Sequence, residues 1–118
     1  MKEFMLFIHA TGNPIGNLSE EMQHAHIQKV GGYIQDMVTQ GKMKNAQPLI
    51  PSGINVSKAD GDFTESPINE AAEMMVGFYH IQADSMSQAL SIAKSDPRFG
   101  DGTWRMEVRE IMNVEGIN

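Results

Sequence analysis

The segment from Val76 to Pro97 constrains the fold of this chain more than any other. Its first part, which ends at Gln82, is rich in aromatic and β-branched residues, and these favour a strand. A capping pattern follows at Ser85, because a serine followed three residues later by a glutamine is typical of a helix start. Pro97 ends that helix, since the residue before a proline is displaced from helical backbone angles. The segment therefore predicts a strand that runs directly into a helix, which is half of a βαβ unit.

Hydrophobic patterns, caps and turn residues predict the remaining elements. The predictions are strands over Phe4–His9, Met43–Ile50 and Trp104–Ile111, a long helix that is capped at Ser19 or Asn17 and ends near Gln40, and a hairpin closed by Asp60-Gly61. The resulting order is βαβ, hairpin, βαβ. We therefore predict an α+β fold, a ferredoxin-like βαββαβ sheet with an inserted hairpin or loop, in one domain over residues 1–118.

Composition argues against several classes of function. The chain has 118 residues, a net charge of −6 and no cysteine. A nucleic-acid partner is not expected, because phosphate binding needs a basic surface. A membrane partner is not expected either, because no apolar run approaches the ~18 residues of a membrane span. The lack of cysteine removes disulfides and thiolate chemistry, so we expect a cytoplasmic protein. No phosphate-binding or other cofactor motif is present, so we expect no cofactor.

The first strand carries apolar residues on both of its faces. Phe4, Leu6 and Ile8 point to one side, and Met5 and Phe7 point to the other. A four-stranded sheet with both helices on one face leaves its second face bare. We therefore predict a homodimer in which two such faces pack together.

The long helix has a predicted apolar stripe and an unusual pair of glycines. The stripe consists of Met22, Ile27, Val30, Ile34, Met37 and Val38. Gly31-Gly32 interrupts the middle of the helix, where each glycine costs roughly 1 kcal/mol relative to alanine. We interpret the pair as a place where another backbone or a ligand comes close.

Motifs over most of the chain resemble the YCII-related, or DGPF-domain, family. The matching segments are Met1–Leu6, His26–Lys29, Gly41-Lys42, Gln47–Leu49, Gly77–Ser85 and Asp96-Pro97. Asp60-Gly61-Asp62-Phe63 is similar to the family's Asp-Gly-Pro-Phe signature, with aspartate in place of proline. The resemblance implies a dimeric α/β barrel of ferredoxin-like subunits. It also implies that His26 and Asp96 are a candidate active-site pair.

His26 is the first candidate catalytic residue. It lies four residues after Met22 and four before Val30, on or beside the apolar stripe. A histidine titrates near neutral pH, which suits a general acid or base. The alternative is a core histidine that is bonded to a backbone carbonyl.

Asp96 is the second candidate catalytic residue. It stands at a helix C-terminus, where the helix dipole disfavours an anion. In the functional interpretation, Asp96 orients His26 or receives a substrate proton. In the alternative, Asp96-Pro97 makes only a turn, with Lys94 and Arg98 as counter-charges.

Other polar residues are weaker candidates. The residues that we expect at the mouth of a ligand pocket are Ser52, Asp60, Asp62 and His80. The chain has four histidines, at positions 9, 24, 26 and 80. Their spacing matches no compact ligand motif, so no metal site is predicted.

Two functions remain open from the sequence. The first is a small-molecule enzyme or ligand-binding barrel, with a pocket between the first helix, the sheet and the loop from Pro51 to Glu73. The second is a non-enzymatic dimeric module, regulatory or structural, with core histidines and no pocket larger than a few waters. A cofactor-free monooxygenase shares the expected fold by analogy alone. The expected partners are a second copy of the chain and a small-molecule ligand.

Overall fold

A computed structural model describes all 118 residues, Met1–Asn118. In chain order the elements are β1 (Lys2–Thr11), α1 (Glu20–Thr39), β2 (Met43–Pro48), β3 (Ile54–Ala59), β4 (Asp62–Pro67), β5 (Glu73–Ala83), α2 (Met86–Lys94), a 3₁₀ helix (Pro97–Gly100) and β6 (Trp104–Glu110). Strands β2, β5, β1 and β6 form one antiparallel sheet in that order, and β3 pairs with β4 in a separate hairpin. The α+β prediction is confirmed, and the strand order is that of a ferredoxin-like fold. Neither helix is long and apolar enough to cross a membrane.

Side-chain caps begin both helices where the sequence predicts. The hydroxyl of Ser19 accepts a hydrogen bond from the Met22 amide at the start of α1. Ser85 does the same for the Gln88 amide at the start of α2. The Gln88 side chain in turn accepts from the amide of Asp84 at 2.6 Å. These reciprocal bonds satisfy backbone donors that a helix start leaves free, so they fix where each helix begins.

The core lies between the sheet and the helices. The largest fully buried side chains are Phe4, Leu6, Ile8 and Ile81, all from the two central strands. Because successive strand residues alternate between faces, the neighbours of these residues point away from the helices. That side, which we call the open face, carries Met5, Phe7, Phe78 and His80. All four are half-buried in the single chain.

Helix α1 packs on the sheet through only part of the predicted stripe: Val30 is buried, and Ile34 and Met37 pack against the core. Its buried residues are His26, Val30 and Tyr33. Three members of the predicted stripe are instead exposed: Met22, Ile27 and Val38. The prediction counted apolar residues only, whereas the Tyr33 ring packs in the core while its hydroxyl donates to the Ile92 carbonyl at 2.6 Å. A polar group with a hydrogen-bond partner can be buried at low cost. The packed face of α1 is therefore rotated relative to the predicted face.

Glycines explain two local features of the fold. Gly77 lies opposite Pro48, where a Cβ would stand 2.9 Å from the Gln47 carbonyl oxygen. The edge strand β2 can therefore approach β5 this closely only at a glycine. At Gly31 and Gly32, by contrast, an added Cβ would meet nothing within 4 Å. Of the two alternatives predicted for this pair, the close approach of another backbone is wrong, and the close approach of a ligand stays a prediction.

The predicted hairpin is confirmed, and it is fully exposed. Asp60 and Gly61 have φ of 52° and 84° and connect the paired residues Ala59 and Asp62. A two-residue turn with positive φ at both positions matches the twist of an antiparallel pair. Every residue of β3 and β4 is exposed to solvent. Asp60 and Asp62 of the signature loop therefore lie at the exposed tip of this hairpin.

Candidate functional site

A cavity of about 420 Å³ opens between α1, the sheet and the loop that follows β1. This volume lies within the range of small-molecule sites, roughly 300–1,000 Å³. Much of the wall is apolar, with contributions from Ile8, Val30, Ile34, Met74 and Val76. Six side chains with polar groups share this wall: Asn13, His26, Gln47, Tyr79, Arg98 and Trp104. Direct contacts link His26, Trp104, Arg98 and Tyr79, and these four form one polar region of the cavity.

His26 is buried and is held by a carboxylate. Its side chain lies on α1 with 6% of the residue exposed, and Nδ1 is 3.0 Å from Oδ2 of Asp101. The other carboxylate oxygen, Oδ1, accepts from Nζ of Lys29 at 2.8 Å. Because His26 and Lys29 are three residues apart on a helix, they face the same way and reach one acceptor. One carboxylate thus bridges two side chains of α1.

The ionisation of Asp101 decides the tautomer of His26. The Lys29 ammonium, followed by the His26 ring, holds the pKa of Asp101 below its usual value. An ionised carboxylate can only accept, so Nδ1 of His26 must carry the hydrogen. In the neutral ring, Nε2 then holds a lone pair. Nε2 makes no hydrogen bond in the protein and is not sealed from solvent. This is the geometry of a histidine that is oriented to act as a base.

Trp104 joins His26 to the second polar group of the cavity. The two rings stack with centroids 5.8 Å apart and planes inclined by 13°. The guanidinium carbon of Arg98 lies 5.0 Å from the centroid of the Trp104 ring. It also lies 5.7 Å from the ring of Tyr79. Arg98 therefore rests on two aromatic rings, which fix its position in the wall.

Asp96 is buried behind Arg98, with 2% of the residue exposed. Its Oδ2 accepts from the Tyr79 hydroxyl at 2.9 Å, and its Oδ1 accepts from the Arg98 amide at 2.9 Å. The second bond caps the 3₁₀ helix that begins at Pro97. Nε of Arg98 lies 3.3 Å from Oδ2. Asp96 thus anchors the turn that carries Arg98. Its carboxylate contacts Tyr79 and Arg98 and does not act on the end of α2.

Burial also affects the phenol that contacts Asp96. Burial raises the pKa of Tyr79 far above its usual value, and the neighbouring Asp96 carboxylate adds to the effect. Tyr79 is therefore a hydrogen-bond donor at physiological pH. Its oxygen also accepts from Nη2 of Arg98 at 3.1 Å. A continuous path of hydrogen bonds runs from Arg98 through Tyr79 to Asp96.

The sequence-predicted site residues occupy different places. The carboxylate that accepts from His26 is that of Asp101, so the expected pairing of His26 with Asp96 does not form. The residues expected at a pocket mouth are absent from the cavity wall: Ser52, Asp60, Asp62 and His80. His80 is on the open face, where Nε2 lies 2.8 Å from Oε1 of Glu3, because β5 alternates its side chains. Of the loop expected to form one wall, only Pro51 reaches the cavity, and residues 12–15 contribute in its place.

Sequence reasoning missed Asp101 and Arg98 as site residues. Asp101 lies in a Gly-Asp-Gly turn, which reads as ordinary turn chemistry. Arg98 was considered only as a counter-charge to Asp96. One signal was available: an arginine directly after Asp-Pro has a fixed direction, because the proline and the capping aspartate set the turn. Nothing in the sequence placed that turn beside His26.

Comparisons with known proteins give a family and a fold. The family model of the YCII-related domain, a sequence profile, matches residues 3–115 of this chain. A similar solved structure is 5-chloro-2-hydroxyhydroquinone dehydrochlorinase from Burkholderia phenoliruptrix, in complex with 2,5-dihydroxybenzoquinone. The TM-score is 0.56 at 13% sequence identity, over 98% of this chain and 97% of that one. At this identity the likeness establishes the fold alone. No curated protein matches at a significant level of sequence similarity.

Proposed function

The chain belongs to the YCII-related domain family, and from that premise we propose that it binds a small molecule in the cavity and transfers a proton at Nε2 of His26. One observation carries the proposal. His26 lines a cavity of about 420 Å³ while its Nδ1 is held 3.0 Å from Oδ2 of Asp101. A buried ring that is oriented by a carboxylate and opens on a cavity suits acid–base chemistry better than packing.

Each residue of the pair has a defined role in the proposal. His26 takes a proton from the ligand at Nε2 and becomes an imidazolium. Asp101 keeps the other ring hydrogen on Nδ1 and stabilises the charge that forms on the ring. Lys29 keeps Asp101 ionised, since it is the strongest influence on that carboxyl. Such a general base contributes about 10²- to 10⁴-fold to a proton-transfer rate.

The proposed substrate is a small molecule with an acidic hydrogen. The similar dehydrochlorinase structure contains 2,5-dihydroxybenzoquinone, and we propose this compound as the first binding probe. The cavity has room for a molecule of that size. The neighbour's reaction itself is not carried over.

Matched histidine variants test the proposal. His26→Ala should abolish or weaken probe binding in calorimetry and should prevent proton exchange between deuterated water and any bound carbon acid. Asp101→Asn should slow the exchange while leaving binding largely intact. His24→Ala is the control, because His24 is exposed on the same helix and lies outside the cavity wall. If His26→Ala changes neither stability nor the binding of any ligand, the site is rejected.

A non-enzymatic dimeric module is the alternative function. That function requires a histidine bonded only to backbone and no cavity larger than a few waters. The bond from His26 to Asp101 and the cavity both favour a ligand-binding protein instead. If the chain has normal stability and binds no small molecule in a broad screen, the non-enzymatic module becomes the preferred function.

We also propose that two copies pair through their open faces, which would form the dimeric α/β barrel. Met5, Phe7 and Phe78 form adjacent apolar positions on this face, since Phe7 pairs directly with Phe78. Apolar surface on both sides of a sheet favours a second packing layer. Light scattering at micromolar concentration should give twice the mass of the chain. A monomer under those conditions would contradict the proposal.

A further inference from the structure

The guanidinium of Arg98 has more N–H donors without a protein acceptor than any other side chain in the cavity wall, where Nε1 of Trp104 also lacks one. An arginine has five N–H donors, and only Nη2 of Arg98 meets an acceptor in the protein, the Tyr79 hydroxyl at 3.1 Å. Nε lies 3.3 Å from Oδ2 of Asp96 without forming a hydrogen bond. Nη1 has no protein partner, and unlike Nε it is not sealed from solvent. The side chain as a whole is only 12% exposed.

Nη1 is open to solvent and has no protein acceptor, so an acceptor that enters the cavity can bind it. Nε is sealed from solvent, so a ligand does not reach it. Asp96 does not supply the acceptor, because it makes no hydrogen bond with Nη1. Its Oδ2 lies 3.3 Å from Nε, and its two oxygens accept from the Tyr79 hydroxyl and the Arg98 amide. The Asp96 carboxylate balances the charge of Arg98 and positions its side chain. The Nη1 edge of the guanidinium is left for a ligand.

The surroundings define the rest of the ligand. The part of the cavity away from Arg98 is lined by side chains such as Val30, Ile34 and Val76. Trp104 presents an aromatic ring next to the guanidinium. A molecule that fits therefore has an apolar, ring-sized body and a hydrogen-bonding group at one end. An arginine fork prefers an oxygen anion with two acceptor positions.

We propose that Arg98 is the specificity-determining residue of the cavity and that the ligand carries an anionic oxygen group, a carboxylate or an enolate, on an apolar ring. This inference rests on the proposed function, since it names the substrate class of the same site. Arg98 binds the anionic group. His26, which is linked to Arg98 through the Trp104 ring, then lies within the same polar region as that group.

Matched probes test the charge requirement. Benzoate is compared with methyl benzoate, and 2,5-dihydroxybenzoquinone with its dimethyl ether, all by calorimetry on the full chain. The two anionic probes separate a preference for carboxylate from a preference for enolate. We expect at least one anionic probe to bind about tenfold or more tightly than its neutral partner.

Variants of Arg98 test whether this residue causes the preference. Arg98→Lys keeps the charge and loses the fork. Arg98→Met combined with Asp96→Asn removes both members of the buried pair, so that no charge is left unpaired. Both variants should reduce the anion preference by about tenfold or more and leave the neutral probe unchanged. Arg105→Met is the control, because Arg105 pairs with Glu73 outside the cavity.

The outcomes separate this inference from the proposed function. Equal binding of anionic and neutral probes, or an anion preference that survives both variants, overturns the role of Arg98 and leaves the ligand cavity in place. Two results together support both this inference and the proposed function. His26→Ala binds no probe, and the parent chain prefers anionic probes in a way that depends on Arg98. Failure of every probe to bind the parent chain overturns this inference, and the proposed function is rejected as well only if a broad screen also finds no ligand.

Discussion

Oδ2 of Asp101 lies 3.0 Å from Nδ1 of His26 although 75 residues separate the two in sequence. The contact joins the turn between the 3₁₀ helix and β6 to the second turn of α1, so it ties the segment before the last strand to the first helix. It also fixes the ring of His26, because an ionised carboxylate accepts only from a protonated nitrogen. Stability and the proposed chemistry therefore depend on the same carboxylate.

Asp101→Asn should destabilise the chain at neutral pH but not in acid. The pKa of Asp101 is held below its usual value by Lys29 and then His26. A carboxyl with a lowered folded-state pKa stabilises the fold above its unfolded-state pKa, and this contribution is lost as the pH falls through the folded-state pKa. Urea unfolding of both proteins over a series of pH values should show a gap in unfolding free energy that narrows on acidification.

The control for this prediction is Asp62→Asn, which changes an exposed carboxyl at the hairpin turn. It should show no comparable gap at any pH. A gap between Asp101→Asn and the parent chain that stays constant from neutral to strongly acidic pH would show that the ionised carboxylate is not the cause.

The two tyrosines should titrate only in strong alkali. The chain has two, Tyr33 and Tyr79, and both are buried. Burial raises the pKa of Tyr33 from 10.0 to about 12 and raises that of Tyr79 further. The phenolate absorbance of the folded chain should therefore stay low at pH values where the urea-unfolded chain is already half titrated.

The sign of the stability effect follows from these shifts. A raised folded-state pKa means that the neutral phenol is favoured by folding, so stability is retained below the usual tyrosine pKa of 10.0 and declines as the pH rises above it. Tyr79→Phe should lower stability at neutral pH, since Asp96 loses a donor, but it should flatten the alkaline decline. Phenolate that appears in the folded parent chain near the ordinary tyrosine value would refute the prediction.

Local signals predicted the frame of this fold, and long-range contacts defined the site. Ser19, Ser85 and Asp60-Gly61 act within four residues of themselves, so their roles could be derived from sequence. The buried stripe of α1 could not, because His26 is buried only where a distant carboxylate satisfies its ring. Arg98 is a counter-charge of Asp96, as the sequence predicts in one of its two interpretations, with Nε 3.3 Å from Oδ2. The predicted pairing of Asp96 with His26 is wrong, because nothing local in the sequence places the turn at Pro97 relative to α1.

Gly77→Ala should destabilise the sheet where β2 meets β5. An added Cβ would lie 2.9 Å from the Gln47 carbonyl oxygen, which is backbone and cannot move without opening the edge strand. Overpacking of this kind costs about 1–3 kcal/mol. Chemical denaturation should show the loss, while Gly100→Ala, which meets nothing within 4 Å, should cost little. Equal effects of the two substitutions would rule out the steric explanation.

Gly31 and Gly32 offer a test in which stability and binding separate. Both glycines lie in the middle of α1, and an added Cβ meets nothing within 4 Å at either one. Only Gly31 belongs to the cavity wall. Replacing either glycine with leucine should stabilise the helix by about 0.5–1 kcal/mol, because glycine is the poorer helix former. The Gly31 side chain alone would extend into the cavity.

Gly31→Leu should therefore weaken the binding of 2,5-dihydroxybenzoquinone, or of any other probe bound by the parent chain, by at least about tenfold, which corresponds to about 1.4 kcal/mol. Gly32→Leu should leave the binding constant unchanged. Calorimetry gives the affinities, and urea unfolding confirms that neither variant is less stable than the parent. The two substitutions differ only in the surface that they cover. An equal loss of binding in both variants would therefore show that the ligand does not bind in the cavity that Gly31 lines.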